Sequence, residues 1–188
     1  MEAQGPLKDK IDKLFDDIYC EEKTYEQAER RLMSEACDHA LRAQGLKTSD
    51  LDLILGGDLL NQLGTSHYFA RDLEIPFIGL YGACSNSTLI AANAAMWIDS
   101  GHAERVLGLT SSHNATAERQ FRYPNEYGVQ KPETTTYTVT GAGAMIFQHE
   151  KTPIRLTQAT LGRILDWQFT NPNDMGSAKV GGQAVLGR

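Results

Sequence analysis

The fold of this chain is decided by the stretch Ile75-Pro76-Phe77-Ile78-Gly79-Leu80-Tyr81-Gly82-Ala83-Cys84-Ser85. A short apolar run that begins with Pro predicts a buried strand. The run breaks at Gly82 and brings a single cysteine, Cys84, to the start of the next segment. A strand, a tight turn and a cysteine at the start of a helix form a nucleophile-elbow arrangement, so Cys84 is the first candidate site residue.

The segment that follows, residues 87–100, predicts a helix. It is rich in Ala, Leu, Ile, Met and Trp, contains no Gly or Pro, and is apolar almost all round, so we expect the helix to be buried. The polar residues at 85–87 are candidates for capping its N-terminus, and Gly101 for ending it in a left-handed turn. Cys84 would then lie at the positive end of the helix dipole, which favours a thiolate.

Composition limits the classes of protein that fit. The chain has 188 residues, 41% of them hydrophobic and 22% charged, which is typical of one globular domain with a sizeable core. A net charge of −6 argues against nucleic-acid binding, which requires a basic face. We expect no membrane-spanning segment and no cleavable targeting signal. The three cysteines are widely spaced without a CxxC motif, so we expect a reduced, intracellular setting and no metal or other cofactor.

Helix and strand patterns alternate up to residue 112, which predicts βαβ units and a parallel sheet. Strand patterns lie near 51–56, 75–81 and 105–112, and we expect these strands to be parallel neighbours with the 88–99 helix packed under the sheet. Two later strand patterns, at 136–147 and 154–165, predict an antiparallel edge. The first of the two contains small residues that suit close packing against a helix, Gly141-Ala142-Gly143-Ala144.

A helix is also predicted before the first strand. Thr24 and Gln27 have the spacing of a capping box, and Gly45 is placed to stop the helix after Gln44. The predicted apolar face of this helix consists of Ala28, Leu32, Ala36, Ala40 and Leu41. A sheet that begins with a helix, and a segment 179–188 without a strong pattern, suggest that both ends of a complete domain are missing.

The segment 114–135 has the highest density of charged and aromatic residues, and long irregular segments of this kind are more often functional or interfacial than simple connections. Arg119, Arg122 and Lys131 fit a carboxylate clamp, because a guanidinium binds a carboxylate in a bidentate way. The alternative is that they pair with acidic neighbours on a surface loop. His113, at the end of a predicted strand, either donates to a carboxylate or is solvated or packed.

With these motifs in view, the chain resembles the stage V sporulation protein AD family, thiolase-fold proteins of spore-forming bacteria. The resemblance runs from about residue 5 to 178. Its matching segments, in order, are Gly57-Asp58-Leu59-Leu60-Asn61-Gln62, Ile75-Pro76-Phe77, Tyr81-Gly82-Ala83-Cys84-Ser85, residues 110–124 from Thr110 to Pro124, Glu126-Tyr127-Gly128, Thr138-Val139-Thr140-Gly141-Ala142-Gly143-Ala144 and Asp174-Met175-Gly176-Ser177-Ala178.

The resemblance implies an α/β chain with a thiolase-like fold: one βαβαββ-type half with a mostly parallel sheet, lacking the first strand and the second half. Residues 1–178 would form the incomplete N-terminal domain and 179–188 a divergent tail. It also implies a role in moving dipicolinic acid, held with calcium, into and out of the spore. Partners would be membrane-embedded proteins of the stage V sporulation A operon, at the inner membrane of the forespore, with a homodimer as in the thiolase fold.

Three hypotheses about Cys84 follow. It lines a ligand pocket inherited from an enzyme, it is a small side chain at a crowded turn, or it is an acyl-transfer nucleophile, which would need a base and an oxyanion hole within reach. We expect a non-enzymatic binding protein whose ligand contacts include Cys84, Ser85, His113, Arg119, Arg122 and Thr140, with Tyr137 a further candidate. The alternatives are a thiolase-like or ketoacyl-synthase-like acyl transferase that uses Cys84, and a structural subunit whose segment 114–135 binds partners.

Overall fold

A four-stranded mixed sheet is the centre of the fold in the computed structural model, which describes residues 5–118, 121, 138–150 and 152–163. The strands are β1 (Leu53–Gly57), β2 (Phe77–Gly79), β3 (Arg105–Ser112) and β4 (Gly141–Gln148), in the order β2-β1-β3-β4. Strand β1 pairs in parallel with both β2 and β3, which confirms the predicted parallel neighbours. Strand β4 is antiparallel to β3 and forms one edge, also as predicted.

Within the described residues, three α-helices flank the sheet: α1 (Tyr25–Gln44), α2 (Gly64–Leu73) and α3 (Asn86–Asp99). The predicted ends of α1 are confirmed. Thr24 Oγ1 accepts a hydrogen bond from the Gln27 backbone N–H at 3.3 Å, and Gly45 ends the helix with a φ of 65°. Gly101, at a φ of 75°, follows α3 in the predicted left-handed conformation.

The core lies in two layers because successive side chains of a strand point to opposite faces. Helices α1 and α2 cover one face, where Ile54 and Leu107 pack with Met33, Cys37 and Phe69. Helix α3 covers the other face through Ile90 and Ala94, which pack on strand residues Leu53, Leu55 and Val106. Helices therefore lie on both faces of the sheet, and the carboxyl ends of β1, β2 and β3 meet at one edge.

The buried face of α1 differs from the predicted one. Ala28 and Leu41 are buried as expected, but Leu32, Ala36 and Ala40 are only half-buried. The other core positions are Glu29, Met33 and Cys37. Together with Leu41, these residues form a buried stripe at four-residue spacing. Because the stripe begins with a charged residue, Glu29, the sequence does not show it as an apolar face.

The predicted burial of α3 holds on the side that faces the sheet and is wrong for the outer side. Ile90 and Ala94 are buried, whereas Ala91 and Ala95 are half-buried and Met96 is 66% exposed. Only one side of the helix packs on the sheet, and the described residues place no second layer over its outer side. Packing on one side alone therefore leaves the apolar outer face open.

One prediction about the C-terminal part is wrong, and one about β4 is confirmed. Residues 154–163 form no strand, and the remainder of the predicted 154–165 strand lies outside the described residues. In β4, Ala142 and Ala144 do pack toward the α1 side of the core, but a Cβ added at Gly143 would meet no atom within 4 Å. The small residues Ala142 and Ala144 therefore allow β4 to pack against α1 as predicted, whereas Gly143 lies in open space.

The chain divides into two units, Met1–Ile154 and Arg155–Arg188. The sheet and the three α-helices belong to the first unit, and residues 155–163 of the second are irregular and exposed. The predicted boundary between residues 178 and 179 lies outside the described residues and stays a prediction. No helix in the described part of the chain has both the length and the apolar character needed to cross a membrane.

Candidate functional site

The predicted elbow is present. Strand β2 ends at Gly79, and a single 3-10 turn, Ala83–Ser85, leads directly into α3. Ala83 has a φ of 46°, in the left-handed region that costs energy for a residue with a Cβ atom. Cys84 is the next residue and its side chain is exposed. The turn thus presents a cysteine to solvent at the N-terminus of α3.

The N-terminus of α3 is not capped in the predicted way. Ser85 occupies the N-cap position without a side-chain cap, because its Oγ instead donates to the Gly82 carbonyl at 2.7 Å. Asn86 Oδ1 accepts from the Gly82 N–H at 2.9 Å, so it closes the turn rather than the helix. No Ser85 side-chain bond therefore occupies the N–H groups of the first turn.

Gly57, at the end of β1, allows the elbow to approach the sheet. A Cβ at this position would lie 1.9 Å from Asn86 Nδ2 and 2.2 Å from the Leu80 carbonyl oxygen. Real Cβ atoms do not approach other atoms so closely, so a side chain here would displace either the turn or α3. The closeness of β1 to the elbow explains why glycine stands immediately before Asp58.

His113 follows β3, at the same edge of the sheet as Cys84, with β1 between the two strands. It is 1% exposed and both ring nitrogens are engaged. Nε2 lies 2.8 Å from the Ile18 carbonyl oxygen, and Nδ1 accepts from the Ala115 N–H at 3.1 Å. This pair of bonds fits the neutral ring with its proton on Nε2. The ring also packs on Tyr25 at 5.1 Å between centroids.

His113 is therefore packed, and it could contact a ligand only if one of these bonds broke. Its predicted role in ligand binding stays a prediction. Thr140 is half-buried, and its Oγ1 accepts from the Asn114 N–H at 3.1 Å, so it holds the turn after β3. The other predicted site residues, Arg119, Arg122, Lys131 and Tyr137, lie outside the described residues.

Sequence reasoning missed a buried polar cluster at the same edge. The carboxylate of Glu29, from α1, is 1% exposed and accepts from three hydroxyls. Ser111 Oγ lies 2.8 Å from Oε1, while Thr65 Oγ1 and Thr116 Oγ1 lie 3.2 Å and 2.7 Å from Oε2. Burial raises the pKa of Glu29, and the nearby charge of Asp58 adds to the rise, although the hydroxyl bonds oppose it.

Asp58 follows β1 and is also 1% exposed. Its Oδ1 accepts from the Leu60 N–H at 2.9 Å, and its Oδ2 accepts from the N–H and the hydroxyl of Ser66 at 2.8 and 2.7 Å. Asp58 thus satisfies a free N–H in the first turn of α2. The described residues contain no group of three His, Cys, Asp or Glu side chains that could hold a metal ion.

The fold is similar to that of two solved synthases. The 3-oxoacyl-[acyl-carrier-protein] synthase III of Aquifex aeolicus VF5 is 22% identical with a TM-score of 0.50, over 70% of this chain and 41% of that one. Germicidin synthase of Streptomyces coelicolor, a type III polyketide synthase, is 17% identical with a TM-score of 0.53, over 68% of this chain and 34% of that one. At such identities the likeness concerns the fold alone, and it confirms the predicted thiolase-like α/β architecture.

The sequence itself matches more closely. Stage V sporulation protein AD of Bacillus subtilis (strain 168) is 51% identical over 177 residues, which make up 94% of this chain and 52% of that protein. The chain therefore spans about half the length of the curated relative it matches. The model of the family described as stage V sporulation protein AD matches residues 1–185. With this match over nearly its whole length, the chain belongs to the stage V sporulation protein AD family.

Proposed function

We propose that this chain is part of a non-enzymatic binding protein for dipicolinic acid, held with calcium, that serves its uptake into and release from the bacterial spore. Membership of a sporulation family supports the biological setting. Because the chain spans about half of its curated relative, the activity of the whole protein is itself part of the proposal.

One observation carries the proposal: the exposed Cys84 lies beside an N-terminus of α3 that has no side-chain cap. Backbone N–H groups and the helix dipole at such an end favour an anion. Dipicolinate is a small planar dianion with two carboxylates, which matches this charge. The Cys84 thiol would contact the ligand as one polar group of the pocket and would form no covalent bond with it.

The acyl-transferase alternative rests on the same turn. A backbone strained at Ala83 and an exposed cysteine favour a nucleophile, and the two similar solved structures are named as synthases. A nucleophile also requires a base within hydrogen-bond reach. His113, the histidine predicted for this edge, has both ring nitrogens bonded elsewhere, which favours binding without turnover.

Isothermal titration with calcium dipicolinate tests the proposal, on the 188-residue chain and on the same chain extended by a second half. Cys84→Ala should weaken binding on the order of 1 kcal/mol, or about fivefold, since one favourable polar contact is lost. Ser100→Ala, at the opposite end of α3, is the control and should bind like the unchanged chain. Titration with dipicolinate alone separates the contribution of calcium.

Absence of binding by the extended chain would contradict the proposal. Equal affinities of Cys84→Ala and the unchanged chain would favour the structural alternatives for this cysteine. An acyl adduct on Cys84, detected by mass spectrometry after incubation with acyl-CoA, would support the acyl-transferase alternative instead.

Partners and location belong to the proposal as well. We propose that the protein is peripheral at the inner membrane of the forespore, where it docks on membrane-embedded proteins of its operon, and that it forms a homodimer. Alanine at both Arg119 and Arg122 distinguishes the two roles proposed for the segment 114–135. Weaker dipicolinate binding with partner co-purification intact indicates a ligand clamp, and the reverse pattern indicates a docking surface. No change in either measurement indicates a surface connection.

A further inference from the structure

Glu29 joins three separate parts of the fold to α1. Its carboxylate accepts from Thr65 in α2, from Ser111 in β3 and from Thr116 in the turn after β3. The same turn is tied to the loop after β1, because the Glu118 N–H donates to the Leu59 carbonyl at 3.0 Å. Glu29 is thus the polar centre of the edge where β1 and β3 end.

The groups that act on Glu29 in the described part of the chain are acidic or neutral. The charged group that acts on it from the end of β1 is Asp58, a second buried carboxyl. Helix α2 contributes Thr65 and the Asp58-bonded Ser66, and β3 with its turn contributes two hydroxyls and the doubly bonded His113. Within the described part of the chain no salt bridge reaches Glu29. Among the described residues, an ionised carboxyl here consequently has hydroxyl donors and no cation as a salt-bridge partner.

The three hydroxyls can form hydrogen bonds with the Glu29 carboxyl in either of its charge states. Each hydroxyl is both a donor and an acceptor, and its hydrogen rotates to suit. Three donors satisfy the carboxylate, and one of them can turn to accept the proton of the neutral acid. The network can therefore satisfy both the neutral and the ionised carboxyl, and the equilibrium between these two forms depends on how far water is excluded from the site.

We propose that Glu29 is a proton-dependent latch, which in its neutral form holds the turn 113–117 against α1 and in its ionised form favours opening of this turn to water. The physical reason is the cost of an ionised carboxyl that is excluded from water and lies near a second buried carboxyl, Asp58. The latch is independent of the ligand, so it does not rest on dipicolinate binding.

The direction of the effect follows from linkage. The pKa of Glu29 in the closed site lies above its ordinary value of 4.5, because burial disfavours the charged form. Closure therefore binds a proton, and the contribution to stability is complete below the ordinary pKa and is lost as pH rises through the closed-state pKa. Between the two values the opening constant should rise by up to about tenfold per pH unit, and above them it should level off.

Hydrogen exchange tests the latch on the 188-residue chain. The reporters are the amides of Ala117, which donates to the His113 carbonyl at 2.9 Å, and of Glu118. Their protection factors, already corrected for the intrinsic effect of pH, should fall from pH 5 to pH 8 in the unchanged chain. In Glu29→Gln the fall should disappear. His113 is present in both chains, so the difference at each pH reports Glu29 alone.

Glu26→Gln is the matched control, because it makes the same substitution at an exposed position one turn earlier in α1. It should keep the pH response of the unchanged chain. Thr116→Val removes a hydroxyl bond that lowers the pKa of Glu29, so it should move the response to higher pH, and it tests the latch even if Glu29→Gln does not fold. An unchanged response in Thr116→Val, or the same pH response in Glu29→Gln as in the unchanged chain, would overturn the proposal.

Discussion

The three cysteines differ in their exposure to solvent, and two of them have a raised thiol pKa. Cys84 is exposed, whereas Cys20 and Cys37 are buried. Burial raises the pKa of Cys37 to about 12, and burial together with the charge of Asp17 raises that of Cys20. The thiolate is the reactive form of cysteine, so the raised pKa and the burial both lower the reactivity of Cys20 and Cys37.

Alkylation should therefore be selective for Cys84. With a pKa of about 12, fewer than about one Cys37 thiol in ten thousand is ionised at pH 7.5. Brief treatment of the folded chain with iodoacetamide should add one label, and peptide mass spectrometry should find it on Cys84. Cys84→Ser should take up none, and the chain in denaturant should take up three. A label on Cys37 in the folded chain would contradict the core described above.

At the scale of the element, contacts between α3 and the sheet explain where glycine is required. Gly108 lies in β3 under α3, and a Cβ there would be 2.6 Å from Ile90 Cγ2 and 2.9 Å from Phe147 Cε2. Gly143 lies in β4, where a Cβ would meet nothing within 4 Å. The same residue type is thus a packing requirement in one strand and an open position in the next.

Gly108→Ala should lower the free energy of unfolding by about 1–3 kcal/mol, the usual cost of an extra methyl in a packed core. Gly143→Ala is the matched control and should change it by no more than about 0.5 kcal/mol. Urea denaturation followed by circular dichroism measures both. Equal effects of the two substitutions would mean that α3 does not pack closely on β3.

At the scale of the whole molecule, the outer side of α3 is an apolar surface. Met96 is 66% exposed, and Met145 of β4, at 43%, lies on the same face of the sheet as Phe147, which packs with the α3 core. Large exposed apolar surfaces promote association between molecules. The short edge strand β2 also presents backbone groups that can pair with another chain.

We expect the 188-residue chain to self-associate in solution. Met96→Lys should reduce the average mass measured by light scattering during size exclusion, because a charge interrupts the apolar surface. Tyr68→Lys is the matched control, since Tyr68 is 58% exposed on α2, and it should leave the mass unchanged. A monodisperse monomer with one cooperative thermal transition would contradict this expectation.

Local signals in the sequence determined much of the fold and one part of the site. The alternating strands and helices, the cap at Thr24 and the left-handed glycines at 45 and 101 were all predictable, because each depends on residues a few positions apart. The elbow at Cys84 was predictable for the same reason. The family was predictable as well, because its motifs occur in order along the chain.

The tertiary structure alone decided which polar side chains are buried and which apolar ones are not. His113 bonds to Ile18, 95 positions away, and Glu29 bonds to Thr116, 87 positions away. A charged residue such as Glu29 is ordinarily exposed, and the apolar helix pattern predicts a buried side chain at Met96, but the structure buries Glu29 and exposes Met96. The physical reason is that burial of a polar group depends on partners brought by distant segments, and exposure of an apolar helix depends on what else covers it.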